Sequence, residues 1–410
     1  MRSLLLILFG LGCLLLRTGF ALQASGSLRA KNASGAILRI TADAAAAALA
    51  FWAVGAAILF QNYNGWLGID RHLLFAQPPE RAGETFFHLT LCLIGGAVAA
   101  GALAERARFY VGVGASAVLG GLVFPIAGHL VWFGKLRDWN FIDLGGASVI
   151  HLSAAVFGAI GVAVVGARAG KYNKDGSSTS IPGHALPMLG IGAMVLFVSW
   201  FPYLLGCLAA HWPWEVTPLS ELAFGIAATN ILLAGMAGVA GGLLYSQFRY
   251  GKPDMFFAYG GLLGALVAIS PDMVDITSFA AVMIGLVAGV IVPMVWLMVD
   301  LDAHLDDPIG LISIHGVGAI WGVLAIAFFR PTTAFSDHFR LLAIQSGGLL
   351  VVIVISAVTA AVLFLGLKML GPLRVVEADE FDGLDIGEHD INSYPDFQQT
   401  TIKSYHLREA

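Results

Sequence analysis

Charge is scarce in this sequence. Lys, Arg, Asp and Glu make up 12% of its 410 residues, about half the share of roughly 25% usual in soluble globular proteins. That argues strongly against a soluble fold of this length. Cysteine is scarce too. Cys13, Cys92 and Cys207 each lie in an apolar run without metal-ligand or redox spacing, so they read as small core residues. There is no Lys/Arg-rich tract, the net charge of −5 comes partly from an acidic tail, and no Walker or dinucleotide fingerprint is present. Nucleic-acid binding and nucleotide-driven pumping are argued against on those grounds. Neither a nucleophile–base arrangement nor a supporting His/Cys/Glu cluster stands out, so an enzyme, a cofactor and a metal site are not expected. What is abundant is apolar surface. The chain is 58% hydrophobic, which at about 20 to 22 residues per crossing supplies about eleven membrane spans.

Apolar stretches broken by Gly, Pro and charge predict an all-α membrane protein with helices near 3–23, 37–60, 86–104, 110–134, 143–168, 185–209, 220–246, 256–271, 276–300, 307–329 and 340–372. The stretch 256–271 is short for a span. Segments 61–85 and 169–184 have the polar, Pro/Gly character of surface connections, and the apolar pattern ends near 373. A membrane domain over 1–372 and a cytosolic tail over 373–410 are therefore expected. With the N-terminus outside, the inner loops and tail hold Arg29, Lys31, Arg106, Arg108, Lys171, Lys174, Arg249, Lys252, Arg374, Lys403 and Arg408. The outer side holds only Arg2, Arg71, Arg81, Lys135, Arg137 and Arg330. Positive loops stay cytoplasmic, so the N-terminus is placed outside and the C-terminus inside, as an odd span count requires. The first segment has a second reading as a signal peptide, since Met1-Arg2-Ser3 precedes the apolar core Leu4 to Leu16. Cleavage would leave ten spans, but Arg17 closes that core directly and Thr18 to Leu22 continue a helical pattern, which favours retention.

One internal comparison points to a pore. Asp143-Leu144-Gly145-Gly146-Ala147-Ser148-Val149-Ile150-His151 opens the fifth span and runs on through Ala155 and Gly158. Asp307-Pro308-Ile309-Gly310-Leu311-Ile312-Ser313-Ile314-His315 opens the tenth and runs on through Ala319 and Gly322. Both fit Asp-x2-Gly-x4-His-x3-Ala-x2-Gly. An offset of five spans reverses the second copy, so the repeats are inverted, an architecture whose equivalent elements meet near the bilayer midplane. Eight residues from the Asp is roughly 12 Å along a helix, near the middle of a core of about 30 Å. His151 and His315 can therefore face each other. An imidazole at that depth is expensive to charge and is expected to stay neutral, able to hydrogen-bond its partner and a small polar permeant. The bland reading is that each is packing glue between helices. Asp307, beside Asp306 and Pro308, reads as a helix N-cap. Asp143, followed by Gly145 and Gly146, reads either as a cap or as a carboxylate that stabilises a cation. The 50 glycines fit closely packed membrane helices.

At this point the chain resembles the Amt/Mep/Rh ammonium transporter family. The resemblance rests on Gly19-Phe20-Ala21-Leu22 with Arg29-Ala30-Lys31-Asn32, Gly101-Ala102-Leu103-Ala104-Glu105-Arg106, and His129-Leu130-Val131-Trp132. It continues through Phe141 and Asp143 to His151, Gly183-His184-Ala185-Leu186-Pro187, Asp306-Asp307-Pro308 to His315, and Gly383-Leu384-Asp385 with Glu388-His389 and Tyr394. It implies eleven helices, two five-helix repeats (about 1–168 and 185–329) with an eleventh helix at 340–372, a homotrimer and a multi-pass place in the inner (plasma) membrane. It also implies ammonium or ammonia, and methylammonium, as permeants, with one pore per subunit and His151 and His315 as its central pair. Trp132 resembles the aromatic residue of the outer vestibule, where a cation–π contact attracts ammonium, and Asp143 the carboxylate below it. A PII signalling protein at the cytosolic face is a further partner the resemblance implies. Two gate positions depart from the pattern. Leu91 stands where the family has a phenylalanine, and Trp200-Phe201-Pro202-Tyr203-Leu204 replaces Trp-Phe-Gly-Phe-Asn, which makes Tyr203 the second gate aromatic and puts Cys207 at a small hydroxyl position. These departures motivate a second hypothesis, a non-transporting ammonium receptor that signals through the tail. A proton-coupled carrier for another small solute is a third.

Overall fold

The computed structural model describes residues 2–61, 65–77, 79–212, 221–332 and 334–395. Lys403 and Arg408, counted above for orientation, lie outside the described residues. Nine of the described helices are long and apolar enough to cross a membrane: α1 Arg2–Ser27, α2 Ala30–Leu59, α3 Pro79–Ala102, α4 Phe109–Asp138, α5 Ala147–Val165, α6 Leu186–His211, α7 Glu221–Tyr250, α9 Ser278–Leu301 and α11 Phe335–Leu370. Two shorter apolar helices, α8 Met255–Ile269 and α10 Ser313–Phe329, lie between them. Strand pairing is confined to two isolated bridges among the described residues.

The short stretch near 256–271 is a helix of its own, started by Asp254, whose carboxylate accepts from Phe256 N at 2.7 Å, as an N-cap does. Most of α8 is buried, from Gly261 to Ile269 without a break. Glycine explains how: a Cβ on Gly238 of α7 would lie 2.4 Å from Gly261 O of α8, and one on Gly289 of α9 would lie 2.3 Å from Gly238 O. Three helices thus pack backbone to backbone.

Helices α5 and α10 begin later than the apolar pattern suggests, at Ala147 and Ser313 instead of 143 and 307. The residues before them are irregular loop that holds a capping Asp and a left-handed glycine, described below. The first helix is part of the bundle: Arg17 donates to Leu93 O at 2.5 Å and pairs with Asp43 of α2.

The two ends of the bundle differ in chemistry. At one end the tail is strapped to the helices. Asp385 accepts from Ser34 N at 3.0 Å and Gly35 N at 2.7 Å, capping the start of α2. Glu388 pairs with Arg39 at 3.2 Å and accepts from Phe109 N at 2.7 Å. Glu380 accepts from Ala169 N at 2.6 Å, and Tyr394 Oη lies 2.6 Å from His184 Nε2. This tail end also holds a buried ion network. Glu105 takes Arg29 and Arg168 at 3.1 and 2.6 Å, and Arg168 also takes Asp306 at 2.8 Å. Burial by itself would raise the Asp306 carboxyl, but the Arg168 hydrogen bonds and charge outweigh it and hold the group down at about 2. At the far end lies a cavity of about 370 Å³, lined by Trp132, Asp143, His211 and Asp272 among others.

Candidate pore site

The two copies of the sequence repeat are two copies of one local structure. Asp143 Oδ1 accepts from Ala147 N at 2.7 Å and its Oδ2 from Ser148 N at 2.8 Å. Asp307 accepts from Gly310 N at 3.1 Å and Ile312 N at 2.6 Å. Each carboxylate caps the helix that follows it. Gly146 and Gly310, the third residue after each Asp, both have φ +76°, a left-handed conformation that a side chain disfavours by roughly 1–2 kcal/mol. The repeated Asp-x2-Gly is therefore the signature of this turn. At Gly310 the nearest atom to an added Cβ would be in Trp296 at 3.4 Å, so the cost is mainly conformational. Gly310→Ala is expected to lower stability by about 1–2 kcal/mol, read as a lower thermal unfolding midpoint in detergent, and an unchanged midpoint would refute the turn argument.

Past each turn the backbone widens into a π-type turn, Ala147–Leu152 and Ser313–Val317, a feature frequent at functional sites. Each π turn carries its histidine. His151 Nδ1 and His315 Nδ1 are 3.0 Å apart, with ring planes 19° from parallel and centroids 4.9 Å apart. Both side chains are fully buried. His151 also stacks on Trp200, at 5.3 Å and 13°, and its Nε2 lies 3.2 Å from Tyr203 Oη.

Counting hydrogens fixes the direction of this polar file. The single Tyr203 hydroxyl proton goes to Gly145 O, since a carbonyl only accepts. Tyr203 Oη must then accept from His151 Nε2–H, which leaves His151 Nδ1 as the acceptor of His315 Nδ1–H. Two neutral imidazoles satisfy every contact. The remaining nitrogen, His315 Nε2, is buried and has no hydrogen-bond partner among the described residues. A bare acceptor lone pair is thus left on the tail-end side of the pair.

Tyr203 and Leu91, the two positions that depart from the family pattern, are both fully buried, and the Tyr203 hydroxyl ends the polar file at Gly145 O. Trp132 donates Nε1–H to Asp143 O at 2.9 Å, so Trp132 and the capping loop form one unit. Between the two readings left open for Asp143, the contacts are those of a cap, because both oxygens are taken up by the start of α5, Oδ2 also by Ser148 Oγ. The face of Trp132 is not open on both sides. His211 stacks on it at 4.0 Å and 15°.

His211 was missed in the sequence, as was His88, whose Nε2 lies 3.0 Å from His211 Nε2. The signal was present. Trp200, Tyr203, Cys207 and His211 fall at helical spacing on one face of α6, and three of them reach the loop carbonyls of the capping turn: Tyr203 and Cys207 to Gly145 O, His211 to Leu144 O. Drawing the span only as far as 209 left His211 outside it. No group of three or more His, Cys, Asp or Glu able to hold a metal occurs among the described residues.

A bundle of apolar helices in which two oppositely running, identically capped helices bring a neutral histidine pair into its buried middle defines a polytopic membrane protein of the inverted-repeat class. Comparison with known proteins narrows this. The family model of the Ammonium Transporter Family matches residues 4–394, and the chain belongs to that family. It is 30% identical to ammonium transporter Amt2 of Archaeoglobus fulgidus, over 95% of this chain and 87% of that protein. With Amt1 of Haloferax mediterranei the identity is 29%, over 93% and 77% of the two chains. Among solved structures it superposes on a "Sensor Amt Protein" with TM-score 0.89 and 28% identity, covering 95% of this chain and 98% of that one. The fold is shared with Candida albicans Mep2, at TM-score 0.81 and 19% identity over 97% and 92% of the chains.

Proposed function

We propose that the chain conducts ammonia nitrogen through the membrane by a proton-stripping pore centred on His151 and His315. The observation that carries the reading is the buried neutral pair with its bare His315 Nε2. Ammonium and potassium ions are nearly alike in size and charge, so size alone separates them poorly, whereas loss of a proton is open to ammonium only. Ammonium collects in the far-end cavity at Trp132 and the Asp143 loop, gives up a proton, and passes as NH3. On the file the permeant donates an N–H to His315 Nε2, a contact that no bare cation can make. Eleven spans, an outside N-terminus, a plasma-membrane location, a homotrimer and a cytosolic tail over 373–410 that offers a PII protein a docking face belong to the same proposal.

A second reading has its own support. Leu91 and Tyr203 are fully buried, His211 covers one face of Trp132, and a solved relative in structure is a sensor. On that reading ammonium binds in the far-end cavity and the strapped tail reports occupancy. Reconstituted protein pulsed with ammonium, methylammonium and potassium, with current and internal pH recorded together, separates the two. Ammonium-specific current or internal alkalinisation supports the pore. Neither signal, with ammonium binding retained, supports the sensor. Trp132→Ala is expected to weaken ammonium binding by about 0.5–2 kcal/mol, the range of a cation–π contact, measured by titration; unaltered affinity would remove Trp132 from the site.

A further inference from the structure

The inner histidine pair balances its hydrogens with two neutral rings; the outer pair does not. His88 Nδ1 lies 2.8 Å from Glu84 O, and His211 Nδ1 lies 2.8 Å from Leu144 O. Carbonyls only accept, so each Nδ1 must carry a hydrogen. In neutral rings both Nε2 atoms would then be bare, with two lone pairs aimed at each other across 3.0 Å. That arrangement repels. One further proton between them turns it into a charge-assisted hydrogen bond, and the pair then carries one positive charge over two rings.

The surroundings are those of a cation site. Phe60, Phe87 and Phe133 present to His88 at centroid distances of 5.2, 5.8 and 6.1 Å, and Trp132 lies face to face with His211. Aromatic walls of this kind recognise cations. His211 also lines the far-end cavity, and His88 lies behind it, fully buried. The charged groups around the pair come from every neighbouring element. Glu84 is one turn before His88 on α3; Arg2 of α1 pairs with Glu84 at 3.6 Å and donates to Ala210 O beside His211. Arg137, Asp143, Asp272, Asp275 and Arg330 line the same cavity as His211.

We propose that the His88–His211 pair is the outer proton acceptor of the pore. The inference rests on the transport reading above and names the base that reading lacks, because both Asp143 oxygens are committed to capping. In the proton-free pair, ammonium in the cavity presents an N–H to His211 Nε2. That N–H bond breaks, the proton takes the Nε2 lone pair, and neutral NH3 moves inward past Leu91 and Tyr203. His211 Nε2–H then donates to His88 Nε2, closing the pair to 3.0 Å as described. The proton leaves to water in the far-end cavity before the next cycle. The charged pair, stacked on Trp132, also occupies the aromatic platform, so a second cation is turned away until the proton has gone.

The test combines flux with a direct view of the proton. In liposomes, His211→Gln and His88→Gln are each expected to slow ammonium-driven flux about 100-fold, the lower range for loss of a positioned base. Wild type should lose flux at acid pH, because solvent then loads the pair first, and that acid limb should vanish in both variants. Infrared difference spectra on adding ammonium should show imidazolium bands, assigned by ¹⁵N-histidine labelling, in wild type and in His151→Ala but not in His211→Gln. Variants with unchanged flux and acid limb would overturn the proposal, as would an imidazolium signal that survives in His211→Gln or never arises in wild type. Should a variant fail to fold, the labelled wild type and His151→Ala still decide. Wild type without any ammonium flux would refute the transport reading instead, and the infrared signal would still report whether ammonium protonates the pair.

Discussion

His151→Ala should cost the protein its discrimination between ammonium and potassium while leaving it folded. The ring makes two contacts in the file, accepting from His315 and donating to Tyr203, and its removal strands both partners in a buried space. A buried donor or acceptor left unsatisfied costs about 1–3 kcal/mol; a barrier to ions lowered by that much changes relative flux roughly 5- to 160-fold. Water entering the space would satisfy them and open a hydrated route for ions. His315→Ala should act in the same direction but for a different reason, since it removes the bare Nε2 and one contact instead of two. Ion-pulse currents from reconstituted variants, with chromatographic size as the control for assembly, provide the measurement. Selectivity preserved in both variants would end the role assigned to the pair.

The second large effect is on stability. Arg168 is the only described cation that joins Glu105 to Asp306 directly, at 2.6 and 2.8 Å, and it ties the loop before α4 to the loop before α10. Breaking a buried pair by removing one partner costs about 3–5 kcal/mol, so Arg168→Met should lower the unfolding midpoint sharply. The pH dependence gives a second readout. In the native protein the Asp306 carboxyl is held at about 2, below its ordinary value near 3.9. Its contribution to stability is therefore fully present above the ordinary value and lost as pH falls toward about 2. In Arg168→Met the Asp306 carboxylate loses its paired cation while Glu105 keeps Arg29; buried Asp306 then takes up a proton more readily than in the unfolded chain, and stability should rise on mild acidification. Unfolding midpoints that shift in parallel with pH for both proteins would refute this account.

Much of the site was legible. The duplicated Asp-x2-Gly-x4-His pointed to the two matching turns, the direction of the two copies and the meeting of His151 with His315, although the helices start a few residues after each Asp. Trp132 and Asp143 stand out in the sequence, but what they touch depends on the fold. That Asp143 spends both oxygens on α5, and that Trp132 bonds the loop carbonyl, follow from tertiary placement. His88 was hidden inside an apolar run, and His211 beyond a boundary drawn two residues early. Arg168 was assigned to the end of a span, whereas the helix stops at Val165 and Gly166 turns with φ +91°, releasing Arg168 into the ion network. Among the described residues the apolar stretches fall on nine long and two shorter helices; α8 is short because its apolar stretch is short, and α10 because a capping loop occupies the start of its stretch.

The strapped tail has a practical consequence for anyone shortening this protein. A chain cut after 372 would lose the carboxylate that caps α2, the anion beside buried Arg39 and the acceptor for the backbone at Ala169, all supplied by Asp385, Glu388 and Glu380. An inactive truncated protein would therefore be ambiguous between a lost signal and a loosened scaffold. Point changes at Tyr394, which touches the body through His184, make the cleaner control.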